Sequence, residues 1–249
     1  MPRFFIRQNQ IDDNKITLVG DDAHHIARSL RMAVGESITV CDMQGNEYDC
    51  KISGFDGEAQ VFAEIISTAK SDTEPPCKIT LFQALSKGDK LDSVIQKAVE
   101  CGVYRIVPFE SERCVVRVKE DAEDRKTERR CRIAAEAAKQ CGRSIIPSVE
   151  RTVDFDTALS MASEAELGLF CYEGDGTRPL GKLLADAARE KMPESISVVI
   201  GSEGGFSLKE ARAAAEARME LVGLGKRILR TETAPVFVLA CISCATELI

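Results

Sequence analysis

The spacing of apolar and polar positions changes character partway along the 249-residue chain. Up to about residue 70, apolar residues recur in short β-like runs at 4–6, 15–19, 37–41, 47–52 and 60–67, separated by turns rich in Asp, Asn and Gly. That spacing predicts a small barrel or sandwich. One helical interruption, residues 22–31, carries His24, His25, Arg28 and Arg31. The stretch from Ser71 to Pro76 is polar and proline-containing, which places a boundary between domains at 1–72 and 73–249. Beyond it, strands alternate with helices, and such alternation predicts an α/β domain with a mostly parallel sheet. Residues 78–85 make a strand. Ser86 and Asp89 then open a helix whose Leu91, Val94, Ile95, Ala98 and Val99 share one face until Gly102 stops it. Strands at 103–109 and 165–172 and helices at 122–141 and 181–191 continue the alternation.

Two turns near the C-terminus carry the strongest local signals. Residues 195–200 are a short apolar strand, followed by Gly201-Ser202-Glu203-Gly204-Gly205-Phe206, after which Ser207 with Glu210 forms a capping box for the next helix. Residues 220–224 are a second short apolar run, ended by Gly225 and followed by Lys226-Arg227-Ile228-Leu229-Arg230-Thr231-Glu232-Thr233-Ala234. Pro235 suits the first turn of a closing helix with apolar Val236, Leu239, Cys241 and Ile242. Strand ends that open onto helix starts are where α/β proteins bind ligands. A polyphosphate fits poorly, because the first turn lacks both GxGxxG spacing and a P-loop Lys-Ser/Thr, and Glu203 would repel it. A neutral or cationic ligand suits it better.

Composition narrows the chemistry further. With 44% hydrophobic and 29% charged residues the chain reads as an ordinary globular protein. No run approaches the roughly 18 apolar residues of a membrane span. Met1 to Arg7 is too short and too quickly polar for a signal peptide, which sets the expectation of a cytoplasmic protein. The 10 cysteines are scattered, mostly in apolar stretches, and are expected as buried thiols; Cys241 and Cys244 have CxxC spacing but no second pair. His24 and His25 are the only histidines, so His-based metal sites and Ser-His-Asp or Cys-His catalysis lack raw material, and no metal is expected. The net charge of −7 argues against a protein that coats nucleic acid. Residues 125–143, however, hold seven Lys+Arg against two Glu, which reads either as a local basic surface that could hold a phosphate backbone or, for the first four of these charges, as a solvated helix face.

Five separated stretches carry a family resemblance: Leu30-Arg31-Met32 with Gly35; Ile95-Gln96-Lys97-Ala98 with Gly102-Val103; Ser111-Glu112-Arg113-Cys114; Gln140-Cys141-Gly142-Arg143 with Pro147; and the two turns above. On these residues the chain resembles the RsmE family of SPOUT-class methyltransferases, which methylate N3 of a uridine in 16S ribosomal RNA. The resemblance implies a PUA-like, RNA-binding β-barrel at 1–72. It also implies a SPOUT-type domain at 73–249 whose last segments form a trefoil knot, a feature otherwise almost absent from proteins. It implies S-adenosylmethionine as cofactor, a homodimer with the site near its interface, 16S ribosomal RNA or the small ribosomal subunit as partner, and no membrane. Carried onto matching positions, the cofactor shell would be Gly201, Gly205, Leu224, Gly225, Ile228, Leu229, Arg230 and Thr231, with Phe170 lining one wall. Ser202 stands where the family usually has proline, and Pro235 where a small residue is common.

Uridine N3 carries a proton and lies on the pairing edge. The base must therefore be unpaired or flipped, and the site must accept the proton or stabilise the anion on the flanking carbonyl oxygens. Arg230 is the candidate anion stabiliser and Glu232 the candidate proton acceptor, although the two could equally pair with each other to hold the knot rigid. Glu203 is expected to satisfy backbone donors of its own turn, and His24 and His25 to form a helix face. Arg28 and Arg31 are expected to contact RNA phosphate; Arg113 and Arg143 are open between RNA binding and dimer packing. A SPOUT methyltransferase for another RNA position, and a non-catalytic RNA-binding assembly factor with the same fold, are the competing readings.

Overall fold

The computed structural model describes residues 1–248; residue 249, the end of the expected second domain, lies outside the described residues. The chain forms two compact units, one made of Met1–Glu74 with Ala138–Ile146 and the other of the remainder. In the first unit, strands β1 (Arg3–Phe5), β2 (Ile11–Asp12), β3 (Lys15–Val19), β4 (Ser37–Cys41), β5 (Asn46–Asp56) and β6 (Gln60–Lys70) form one curled sheet in the order β1-β4-β5-β6-β3-β2. The long antiparallel pair β5 and β6 shifts register between Asp49/Cys50 and Ile52/Gly54, and such bulges bend a sheet. Tyr48, Cys50 and Ile52 point inward while Asp49 and Lys51 are exposed, the period-two pattern of a half-buried strand. Phe4, Leu18, Ile38 and Val40 complete the core with them, and Ile26 enters it from the helical interruption. That interruption is α1 (Asp21–His24) continued by a single π turn, His25–Ser29, with both histidines exposed.

Residues 138–146 are tied into this unit by Glu74. Its Oε1 accepts the backbone N–H groups of Ser144 at 3.0 Å and Ile145 at 3.2 Å, while its Oε2 takes Nε of Arg143 at 3.1 Å. The Arg143 side chain is only 4% exposed, so a buried cation meets a carboxylate that also satisfies backbone donors.

The second unit is an eight-stranded sheet in which every pairing is parallel. Its strands are β7 (Lys78–Ala84), β8 (Arg105–Glu110), β9 (Ser148–Val149), β10 (Val153–Asp154), β11 (Leu167–Cys171), β12 (Arg178–Pro179), β13 (Ser195–Ile200) and β14 (Glu220–Gly223). The order is β10-β8-β7-β13-β11-β14-β12, with β9 also on β8. Central β13 is buried from Ile196 to Ile200, as a parallel strand covered on both faces must be. The helices are α2 (Lys90–Glu100), α3 (Glu120–Cys141), α4 (Phe155–Ala162), α5 (Leu180–Glu190), α6 (Leu208–Glu216) and α7 (Ala234–Thr246). The apolar face expected on α2 is buried in full. Pro235 sits in the first turn of α7, which packs on α2, α5 and β13.

Two local expectations are corrected. Ser86 and Asp89 do not form a capping box: α2 starts at Lys90, Asp89 makes no side-chain cap, and Glu203 from the glycine-rich turn takes the Lys87 N–H instead. The cysteines are not uniformly buried either, since Cys131, Cys141 and Cys244 are exposed on α3 and α7. Among the described residues no group of metal-ligating side chains occurs and no helix is long and apolar enough to cross a membrane.

Candidate active site

The C-terminal ends of β11, β13 and β14 are neighbours in the sheet, and the loops that leave them enclose a cavity of about 410 Å³. Small-molecule sites span roughly 300–1,000 Å³. The first loop, after β13, is held from both sides. Gly204 packs so tightly on Arg113 that a Cβ there would lie 2.9 Å from the arginine's Cβ, and Arg113 Nη1 donates to the Gly204 carbonyl at 3.1 Å. The expected capping box forms: the Ser207 N–H donates to Glu210 at 2.8 Å, and the Glu210 N–H to the Ser207 hydroxyl at 3.3 Å.

The second loop leaves β14 through Gly225, whose φ of 109° lies in the left-handed region that side chains avoid. Lys226, Arg227 and Ile228 then run exposed. Thr231 anchors the loop: its hydroxyl donates to the Gly201 carbonyl at 2.7 Å and accepts from Gln83 Nε2 at 3.0 Å. One buried threonine thus joins both loops to the end of β7. Gln83 was not among the expected site residues, yet an amide inside the apolar run 78–85 was its signal. A third loop was also missed. Cys171 at the end of β11, with Tyr172, Gly174 and Thr177 beyond it, completes the cavity wall; their signal was only the position of a parallel strand's end. Burial pushes the Cys171 thiol up to about 12.

Of the residues expected around a cofactor, Gly201, Gly205, Leu224, Gly225, Ile228, Leu229 and Thr231 line the cavity. Phe170 does not. It is fully buried in β11, its ring 4.2 Å from that of Phe206, and Phe206 forms the wall in its place. Arg230 does not line the cavity either. Its carbonyl accepts the N–H groups of Thr233 and Ala234, starting α7, while its side chain is 82% exposed with Nη1 4.0 Å from Glu232 Oε1.

Glu232 is half-buried, and its Oε2 is buried without a hydrogen bond. The cation near that oxygen is Lys90 Nζ, at 4.0 Å, a residue absent from the expected site. Lys90 also donates to Glu203 Oε1 at 2.8 Å, alongside the Lys87 N–H at 3.1 Å. Glu203 therefore reaches beyond its own turn to the start of α2. Burial works to raise its carboxyl, but the hydrogen bonds, led by that from Lys90, hold it below the usual range.

The remaining arginines are placed differently from one another. Arg28 is exposed and pairs with Glu58 at 2.7 Å, with His24 Nδ1 3.5 Å from the same carboxylate. Arg31 is exposed at a φ of 52°, with no ion pair among the described residues. Arg113 serves the first loop, and Arg143 is committed to Glu74. Among the described residues, four of the seven cations in the basic stretch are paired: Arg129 with Asp92, buried Arg130 with Glu123, Lys139 with Asp22, and Arg143 with Glu74.

Comparison with known proteins assigns the class. The family model of an RNA methyltransferase domain matches residues 73–243, and that of an RNA methyltransferase PUA domain matches residues 18–66. The chain is 33% identical to ribosomal RNA small subunit methyltransferase E of Bacillus subtilis, covering 100% of this chain and 98% of that protein. It is 30% identical to the protein of the same name from Synechocystis, covering 98% of this chain and 78% of that one. A crystal structure of ribosomal RNA small subunit methyltransferase E from Neisseria gonorrhoeae bound to S-adenosyl methionine superposes with a TM-score of 0.85 at 33% identity, covering 98% of this chain and 97% of that one. The chain belongs to the ribosomal RNA small subunit methyltransferase E family.

Proposed function

We propose that this chain methylates N3 of a uridine in 16S ribosomal RNA with S-adenosylmethionine, acting as a homodimer in the cytoplasm. The observation that carries the reading is the cavity bounded by three loops at parallel strand ends and locked through Thr231, in a family with a relative crystallised with that cofactor. The residues fit such a ligand. A Cβ at Gly201 would press on the Phe206 ring at 3.2 Å, so bare backbone meets the cavity there. The buried Ser202 hydroxyl, which also lines it, has no hydrogen-bond partner in the protein and can donate to a ligand oxygen. When bound, the cofactor supplies an electrophilic methyl on a cationic sulfur: the N3–C bond forms as the C–S bond breaks, S-adenosylhomocysteine leaves, and the N3 proton goes to the protein. Glu232 accepts that proton at a carboxylate oxygen. The exposed guanidinium of Arg230 donates to the uracil carbonyl oxygens as negative charge develops on them.

Arg28 and Arg31 serve the RNA as phosphate contacts on a PUA-like barrel, whereas Arg113 shapes the first loop and Arg143 its own unit. A C-terminal trefoil knot is supported by the route of the chain. It leaves β14 on the far side of β11, returns through Thr231 to Gly201 and Gln83, and only then enters α7. Exposed Phe237 on α7 and Leu208 on α6 supply apolar surface for a second copy.

The test is to incubate the protein with S-adenosylmethionine and small subunits lacking the modification, then identify the nucleoside by mass spectrometry. 3-Methyluridine is expected. Methyl on another nucleoside would make the chain a SPOUT enzyme for a different position. RNA binding without cofactor binding or product would make it an assembly factor.

A further inference from the structure

We propose that Lys90 is a positioning residue for methyl transfer, anchoring one oxygen of Glu232 so that the other is presented to the N3 proton. The inference rests on the reading of Glu232 as the proton acceptor. Three observations carry it. Glu232 Oε2 is buried and accepts no hydrogen bond, which for a carboxylate oxygen is costly unless a charge compensates it. Lys90 Nζ lies 4.0 Å from that oxygen. An ammonium has three donors, and only one of those of Lys90 is used, at 2.8 Å, by Glu203.

The charged groups facing Glu232 come from three elements. Lys90 approaches from the start of α2, with Glu203 of the glycine-rich loop behind it, and Arg230 approaches from Glu232's own loop. The two cations take different oxygens: Lys90 is near the buried Oε2, Arg230 near Oε1. Arg230 is 82% exposed, so solvent and salt screen its effect on the carboxylate, and it is free to serve the substrate. Lys90 is restrained, because Glu203 is itself fixed by the Lys87 N–H. The bridge Glu203–Lys90–Glu232 therefore links the first loop, α2 and the second loop. A carboxylate whose orientation is fixed before the base arrives meets the N3 proton in the reacting geometry.

The experiment measures kcat and KM on small subunits for wild type, Lys90→Met and Lys90→Arg, with cofactor affinity measured by calorimetry on the same proteins. Lys90→Met should lower kcat by about 10–10²-fold, the scale of a misplaced reacting group, with KM and cofactor affinity retained, and Lys90→Arg should restore most of kcat. The proposal is overturned if Lys90→Met leaves kcat unchanged, if it loses cofactor binding in step with turnover, or if arginine does not restore kcat. Should Lys90→Met fail to fold, Lys90→Gln is the second test: it should lower kcat with cofactor affinity kept, and wild-type turnover overturns the idea. A wild-type protein that forms no 3-methyluridine fails the proposed function instead, which keeps the two failures apart.

Discussion

The two loops that face each other across the cavity are built in opposite ways. The first, after β13, is gripped by Arg113, closed by the Ser207–Glu210 capping box, and braced against α2 by Glu203. The second, after β14, runs with Lys226, Arg227, Ile228 and Arg230 exposed and is anchored chiefly by Thr231. The difference teaches a division of labour. A ligand-binding wall gains from being preformed, whereas residues that must meet a large substrate gain from side chains not already committed. The braced loop is expected to contribute to folding and cofactor affinity, as is buried Thr231 of the open one, while the exposed side chains of the open loop govern turnover.

Arg230→Ala gives the sharpest way to break this comparison. Turnover should fall by about 10²–10³, the cost of losing one donor to a developing oxyanion, with cofactor affinity and melting temperature unchanged. Equal loss of binding and turnover, by calorimetry and single-turnover assay, would make Arg230 as structural as the first loop. Thr231→Val comes next. It removes the hydroxyl shared by Gly201 and Gln83 and should cost about 1–3 kcal/mol, seen together as lower melting temperature and weaker cofactor binding. An effect on turnover alone would show the loops to be independent.

A smaller effect isolates the bracing carboxylate. Glu203 sits below its ordinary 4.5 when folded, so the stability it contributes is present above that value and lost as pH falls through the lower folded value. Thermal melts of wild type and Glu203→Gln should differ at pH 7 and converge in strong acid; curves that stay apart would show that the carboxylate's charge is not what braces the loop. Arg28→Ala is the smallest and lies outside both loops. Its pair with Glu58 is exposed and screened by solvent, so the melting temperature should barely move. RNA affinity should nonetheless weaken, with a log–log salt slope shallower by roughly one.

What was legible in the sequence follows the same divide between local and distant causes. Strand β13 appears with the expected bounds, because its apolar run and the three glycines after it are local signals. The Ser207–Glu210 box and the placing of Pro235 in α7 are equally local. Glu203 and Lys90, 113 positions apart, carry no periodic trace of their contact. Nor does Glu74 announce that it will hold residues 143–145. Phe170 illustrates the same divide: strand spacing predicts burial, but only the packing of Phe206 over it decides which ring meets the cavity.

Cys171 has one more consequence. A cavity shaped for a methyl donor is a hazardous place for sulfur, since thiolates are alkylated readily and an enzyme could inactivate itself on its own reagent. Burial pushes the thiol up to about 12, which disfavours the reactive thiolate. The same packing that lets the sulfur fill the wall also keeps it a poor nucleophile, so the wall does not compete with the RNA for the methyl group.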